Sequence, residues 1–153
     1  MVALRMLVAC ALLAVGISGV RAETSPYAGM QNRSLKALSE QQIEELRAGR
    51  GMGLAMAAEL NSYPGPAHVL ELATALNLSE DQRDRTRALF EKMRNTAVPV
   101  GNEVLAKEGE LDEAFASGSI DDAALRRILT DIGRLQSELR YTHLKYHTPC
   151  AGC

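Results

Sequence analysis

From residue 34 onward the apolar positions recur at intervals of three and four, and nowhere do they alternate with period two over the length of a strand. The clearest run is Leu125, Ile128, Ile132, Leu135, Leu139, Thr142 and Tyr146, whose alternating steps predict a helix that packs lengthwise against a partner. A second stripe, Leu89, Met93, Val100, Val104, Leu111 and Phe115, predicts the inward face of a long helix from Glu80 to about Ala116. Pro99 and Gly101 interrupt this helix, and because the stripe continues on both sides a kink is expected there, not a stop. Gly118 closes the helix, and the run Ser119 to Asp122 caps the one that follows.

The N-terminal half is broken into shorter pieces. Residues 23–33 are polar, contain Pro26 and Gly29, and read as a mobile arm. Ser34 to Ala48 carries Leu35, Leu38, Ile43 and Leu46 among charged residues, a short amphipathic helix started by Leu38-Ser39-Glu40-Gln41-Gln42 and stopped by Gly49. Gly49-Arg50-Gly51-Met52-Gly53 is a breaker and not a phosphate loop, since no strand precedes it and no Lys-Ser/Thr follows. Leu54 to Leu60 is a compact Ala/Met-rich piece ended by Tyr63-Pro64-Gly65-Pro66. A further short helix is predicted from Ala67 to Leu76, with Val69, Leu70, Leu72, Ala73 and Leu76 on its apolar side.

Two helices begin with the same pattern, Leu38-Ser39-Glu40-Gln41-Gln42 and Leu78-Ser79-Glu80-Asp81-Gln82. In such a tetrad the serine hydroxyl accepts the backbone N–H three residues on, and the Gln carbonyl accepts the serine's own N–H. The expected fold class is all-α: two long antiparallel helices joined near Gly118, with shorter helices folded around them. A bare two-helix hairpin leaves apolar stripe uncovered, so an intertwined homodimer is expected.

Ahead of these elements, Met6 to Ile17 is an uninterrupted apolar run behind Arg5, and Val20-Arg21-Ala22 offers a small-residue cleavage site. The run falls short of the roughly 18–20 residues a membrane-spanning helix needs, so residues 1–22 are expected to be a cleaved export signal. Lipidation at Cys10 is disfavoured because almost no apolar stretch precedes it. The expected divisions are therefore a signal at 1–22, the arm at 23–33, a helical domain at 34–147 and a cysteine-containing tail at 148–153.

Cleavage removes Arg5 and Arg21 and no acid, taking the 17 basic and 19 acidic residues to 15 and 19. A mildly acidic chain without a basic face argues against nucleic-acid binding, and stable membrane insertion after cleavage is not expected. No Ser-His-acid set, nucleotide loop or convergent carboxylate group is legible, so an enzyme is not expected.

The richest chemistry lies at the C-terminal end. His143 and His147 are one helical turn apart, the spacing at which two imidazoles share one metal ion, and Cys150 and Cys153 follow closely. Zinc, copper or nickel are the metals these donors suit, although no cofactor is required by the fold. The alternatives are solvated histidines and a small Cys150–Cys153 disulfide formed in an oxidising compartment. His68, behind Pro66, is assigned to local structure, and the scattered methionines to packing, with Met52 and Met56 able to add a thioether.

With the export signal, the hairpin and Leu76-Asn77-Leu78-Ser79-Glu80-Asp81-Gln82 opening the long helix, the chain resembles the Spy/CpxP family of periplasmic helical proteins. Leu78, Ser79 and Gln82 match that family's Leu-Thr-x-x-Gln motif, with Ser in place of Thr. The resemblance implies a periplasmic, ATP-independent chaperone or envelope-stress protein that binds unfolded clients, through a surface including Leu89, Met93, Val100 and Val104, or acts with a membrane sensor protein. It equally implies the other branch of the family, a heavy-metal-binding or sensing protein using His143 and His147 with Cys150 and Cys153 in support. A purely structural helical dimer is the third reading.

Overall fold

A computed structural model describes residues 25–150; the expected signal with Cys10, the first residues of the arm, and Cys153 lie outside the described residues. Every regular element among the described residues is helical. After a 3-10 turn at Met30–Asn32 come α1 (Glu40–Ala48), α2 (Met56–Glu59), α3 (Pro66–Glu71), α4 (Glu80–Ala116), α5 (Asp122–Lys145) and α6 (His147–Cys150).

Both tetrads form complete capping boxes. The Ser39 hydroxyl accepts the Gln42 N–H at 3.2 Å and the Gln42 side-chain oxygen accepts the Ser39 N–H at 2.9 Å; Ser79 and Gln82 repeat the two distances. α1 accordingly starts at Glu40, where the first tetrad places a helix start, because Ser39 itself takes the extended N-cap conformation. The stops share a mechanism too. At Gly49, Ser62 and Asn77 the backbone turns left-handed, with φ of 67°, 67° and 50°. In each case the next N–H reaches back to a carbonyl five residues earlier: Arg50 to Glu45, Tyr63 to Ala58, Leu78 to Ala73. This is the Schellman closure that satisfies orphan carbonyls at a helix end. It explains why α3 gives way to tight turns over residues 72–77 instead of running regularly to Leu76.

α4 passes through Pro99 without a break, and its exposed side carries the proline ring. α5 packs antiparallel along it, as the pairs Lys107–Asp131 at 3.2 Å and Arg127–Glu110 at 3.0 Å require. Leu46 of α1, Ala97, Val100 and Val104 of α4, and Leu135 and Leu139 of α5 form the buried core, with Leu38, Leu54 and Leu105 packed around it. α1 lies so close to α4 that a side chain at Gly101 would stand 2.5 Å from the Leu46 carbonyl oxygen. α1 and α3 thus cover much of the stripe that a bare hairpin would expose. Phe115, expected inward, is 58% exposed at the end of α4, where no shorter helix reaches it.

Candidate functional site: a histidine cleft

The breaker at residues 51–53, the Pro-Gly-Pro turn and the C-terminal end of α5 meet around a cleft of about 220 Å³. All three histidines of the sequence line it, together with Glu59, Met52 and Met93. Each is delivered by a different local device. Glu59 ends α2, His68 sits in the first turn of α3 behind Pro66, and His143 and His147 are one turn apart across the junction of α5 and α6.

Hydrogen bonding sets the protonation of His147. Its Nδ1 stands 2.8 Å from the His143 carbonyl oxygen, which can only accept, so Nδ1 carries the proton. Its Nε2 is then a bare lone pair in the neutral ring, yet it faces Glu59 Oε1 at 3.3 Å. Two acceptors do not face each other stably; the gap calls for a positive charge, either a proton on Nε2 or a metal cation. The same Glu59 oxygen lies 3.0 Å from His68 Nδ1. Glu59 Oε1 therefore joins α2, α3 and α6 at one point.

Gly65 makes this approach possible. A Cβ there would lie 2.7 Å from His147 Nε2 and 3.3 Å from Glu59 Oε1, inside the space the imidazole occupies. His143, 1% exposed, lies against Gly51, and its buried Nε2 has no hydrogen-bond partner among the described residues. Burial first, and the neighbouring His147 imidazole second, hold the His143 imidazole below the usual histidine range, so it is neutral near neutral pH. Met52 adopts φ of 44° at the cleft wall, a conformation uncommon outside glycine and concentrated at functional sites.

The residues nominated from sequence are placed as follows. His143 and His147 line the cleft, but their partners are Gly51 and Glu59, and they are not shown gripping one point between them. Cys150 is buried at the end of α6 and is not part of the cleft lining. Met93, Val100 and Val104, nominated for client binding, are at most 7% exposed, while Leu89 is half-buried; Met93 forms part of the cleft wall. Leu78, Ser79 and Gln82 act as the helix start. Glu59, Gly65 and His68 were not nominated. The Tyr-Pro-Gly-Pro-x-His run was a signal for them, since a glycine between prolines admits a close neighbour that any other residue would block.

Among the described residues no group of three or more His, Cys, Asp or Glu side chains is arranged so that it could hold a metal ion without rearrangement. Compared with known proteins, the chain matches no family model, no curated protein and no solved structure. No helix among the described residues is long and apolar enough to cross a membrane.

Proposed function

We propose that this is an exported helical protein that binds a divalent transition-metal ion in the histidine cleft, with His147 Nε2, Glu59 and His68 as ligands. The observation that carries the reading is the lone pair of His147 facing a carboxylate oxygen at 3.3 Å, with a second imidazole 3.0 Å from that oxygen. A tetrahedral zinc ion with bonds near 2.0–2.1 Å spaces its ligand atoms about 3.3–3.4 Å apart, so the cluster needs adjustments of only a few tenths of an ångström on these two edges. The half-exposed His68 ring is the mobile member. The Nδ1 bond from His147 to a backbone carbonyl is the outer-shell contact that orients metal-binding imidazoles. Two imidazoles and a carboxylate suit Zn²⁺, Ni²⁺ or Cu²⁺.

Competition titration of the mature protein with these three ions tests the reading. One equivalent is expected to bind, and His147→Ala and Glu59→Gln should each weaken binding about tenfold or more. Gly65→Ala should do the same without removing a ligand, because its methyl group would stand 2.7 Å from Nε2 and displace the imidazole. Cys150→Ser should leave binding unchanged. Equal binding by the native protein and His147→Ala defeats the proposal.

A second reading, ATP-independent binding of unfolded exported chains, is favoured by Leu60, Leu72 and Leu76, which stand 78%, 55% and 51% exposed around the short helices. Suppression of aggregation of a reduced client without nucleotide, lost on changing these three leucines to Ser, would support it; no suppression at several-fold excess would remove it.

A further inference from the structure

A second, larger depression of about 800 Å³ runs between α1 and α5 over α4. Its apolar lining is Leu38, Leu46, Met52, Leu54, Val104 and Leu139, Met52 being shared with the histidine cleft, and its charged lining is Glu45, Glu108 and Arg140. Both flanking helices run antiparallel to α4: Lys36 meets Asp112 while Leu46 meets Gly101, and Glu110 meets Arg127 while Lys107 meets Asp131. Two parallel helices seated on a third leave between them the position a fourth helix takes in a bundle.

The charges at the two ends differ. Glu108 lies at the end where α1 begins, beside Leu38 and Gly133, and Arg140 lies two turns of α5 beyond Gly133, about 10 Å along the groove. Neither has a hydrogen-bond or ion-pair partner among the described residues, and burial holds the Glu108 carboxyl above the usual carboxylate range. Glu45 accepts from Gln41 at 3.0 Å and meets no cation. A half-buried carboxylate without a counter-charge, at one end of an apolar trough with an unpaired guanidinium at the other, matches a ligand of fixed polarity.

We propose that this groove docks an amphipathic helix of a partner protein, about two turns long, with its apolar face on Leu38, Leu54 and Val104, a basic residue at Glu108 and an acidic residue at Arg140. The long helices of a second copy are poor occupants. The apolar stripes of α4 and α5 are already spent in the core, and the large apolar residues exposed on these helices, Phe115, Leu129 and Tyr141, are isolated from one another in sequence.

The probe is a fluorescein-labelled 14-residue helical peptide with a Leu/Ala face, one Lys near one end and one Glu near the other, titrated with the mature protein in EDTA, which separates this site from metal binding. Saturable polarisation is expected. Glu108→Gln should weaken it about three- to tenfold, and Ser137→Trp, on the exposed lip of the groove, should abolish it. A peptide with its Lys changed to Glu should bind as weakly to the native protein as the original does to Glu108→Gln. The proposal is overturned by no binding, by equal binding of both peptides, or by a native dimer that Ser137→Trp converts to monomer, which would make a second copy the occupant.

Discussion

Substituting Gly101 with Ala tests whether α1 is seated on α4 as closely as the cleft and the groove both require. The added Cβ would stand 2.5 Å from the Leu46 carbonyl oxygen and 3.1 Å from its carbon. That is about 0.8 Å inside the closest ordinary carbon–oxygen approach of about 3.3 Å, and the obstacle is backbone, which no rotamer change can move. α1 must retreat, loosening Leu46 in the core, and overpacking of this kind costs about 1–3 kcal/mol. Against this, replacing glycine inside a helix gains up to about 1 kcal/mol in propensity. Gly133→Ala supplies the control, because Gly133 is also inside a long helix and its Cβ would meet nothing within 4 Å. Propensity is common to both variants, so their difference isolates the steric cost. Urea denaturation followed by circular dichroism should place Gly133→Ala above the native protein by about 0.5–1 kcal/mol. Gly101→Ala should fall about 1–3 kcal/mol below Gly133→Ala. Two variants within about 0.5 kcal/mol of each other would refute the close seating, since that gap is smaller than overpacking allows.

Three further outcomes follow from the same structure. Ser79→Ala should cost about 1 kcal/mol of stability in urea, because it removes the acceptor for the Gln82 N–H while leaving the helix face untouched, and Ser79→Thr should restore most of it. His143 titrates lower when folded than when unfolded, so its contribution is present above the unfolded value near 6.5 and is lost as pH falls below that toward the folded value. In metal-free buffer the thermal midpoint should therefore drop on acidification through this window, and His143→Gln should show a shallower drop. Glu108 has the opposite sign: its carboxyl titrates higher when folded, so stability falls as pH rises from the unfolded carboxylate range toward the folded value. Glu108→Gln should be more stable than the native protein at pH 7 by differential scanning calorimetry, and indistinguishable from it at pH 3.

Much of the helical layout was legible because its signals are local. The capping boxes at Ser39 and Ser79, the stop at Gly118 and the three-and-four stripe of α5 each depend on residues within one or two turns. Phe115 was misjudged because a stripe reports periodicity and not whether anything lies opposite its last member. The client-binding nominees show the same limit: an apolar residue on a predicted inward face reads alike whether the face is core or open surface, and α1 decides it by docking at Gly101. Of the cleft, only His143 and His147 were visible, because their spacing is local. Glu59 reaches His147 across 88 residues of sequence and His68 joins them through Glu59, brought there by Schellman turns and a proline-flanked glycine whose individual signals say only that the chain turns.

The central claim, a metal ion held by imidazole and carboxylate with no thiolate, is tested most directly by the X-ray absorption spectrum of the zinc-loaded protein. The account predicts only nitrogen and oxygen neighbours, at about 2.0–2.1 Å, with the outer scattering of two imidazoles. A sulfur neighbour at about 2.3 Å, or failure to retain zinc through gel filtration, would contradict it.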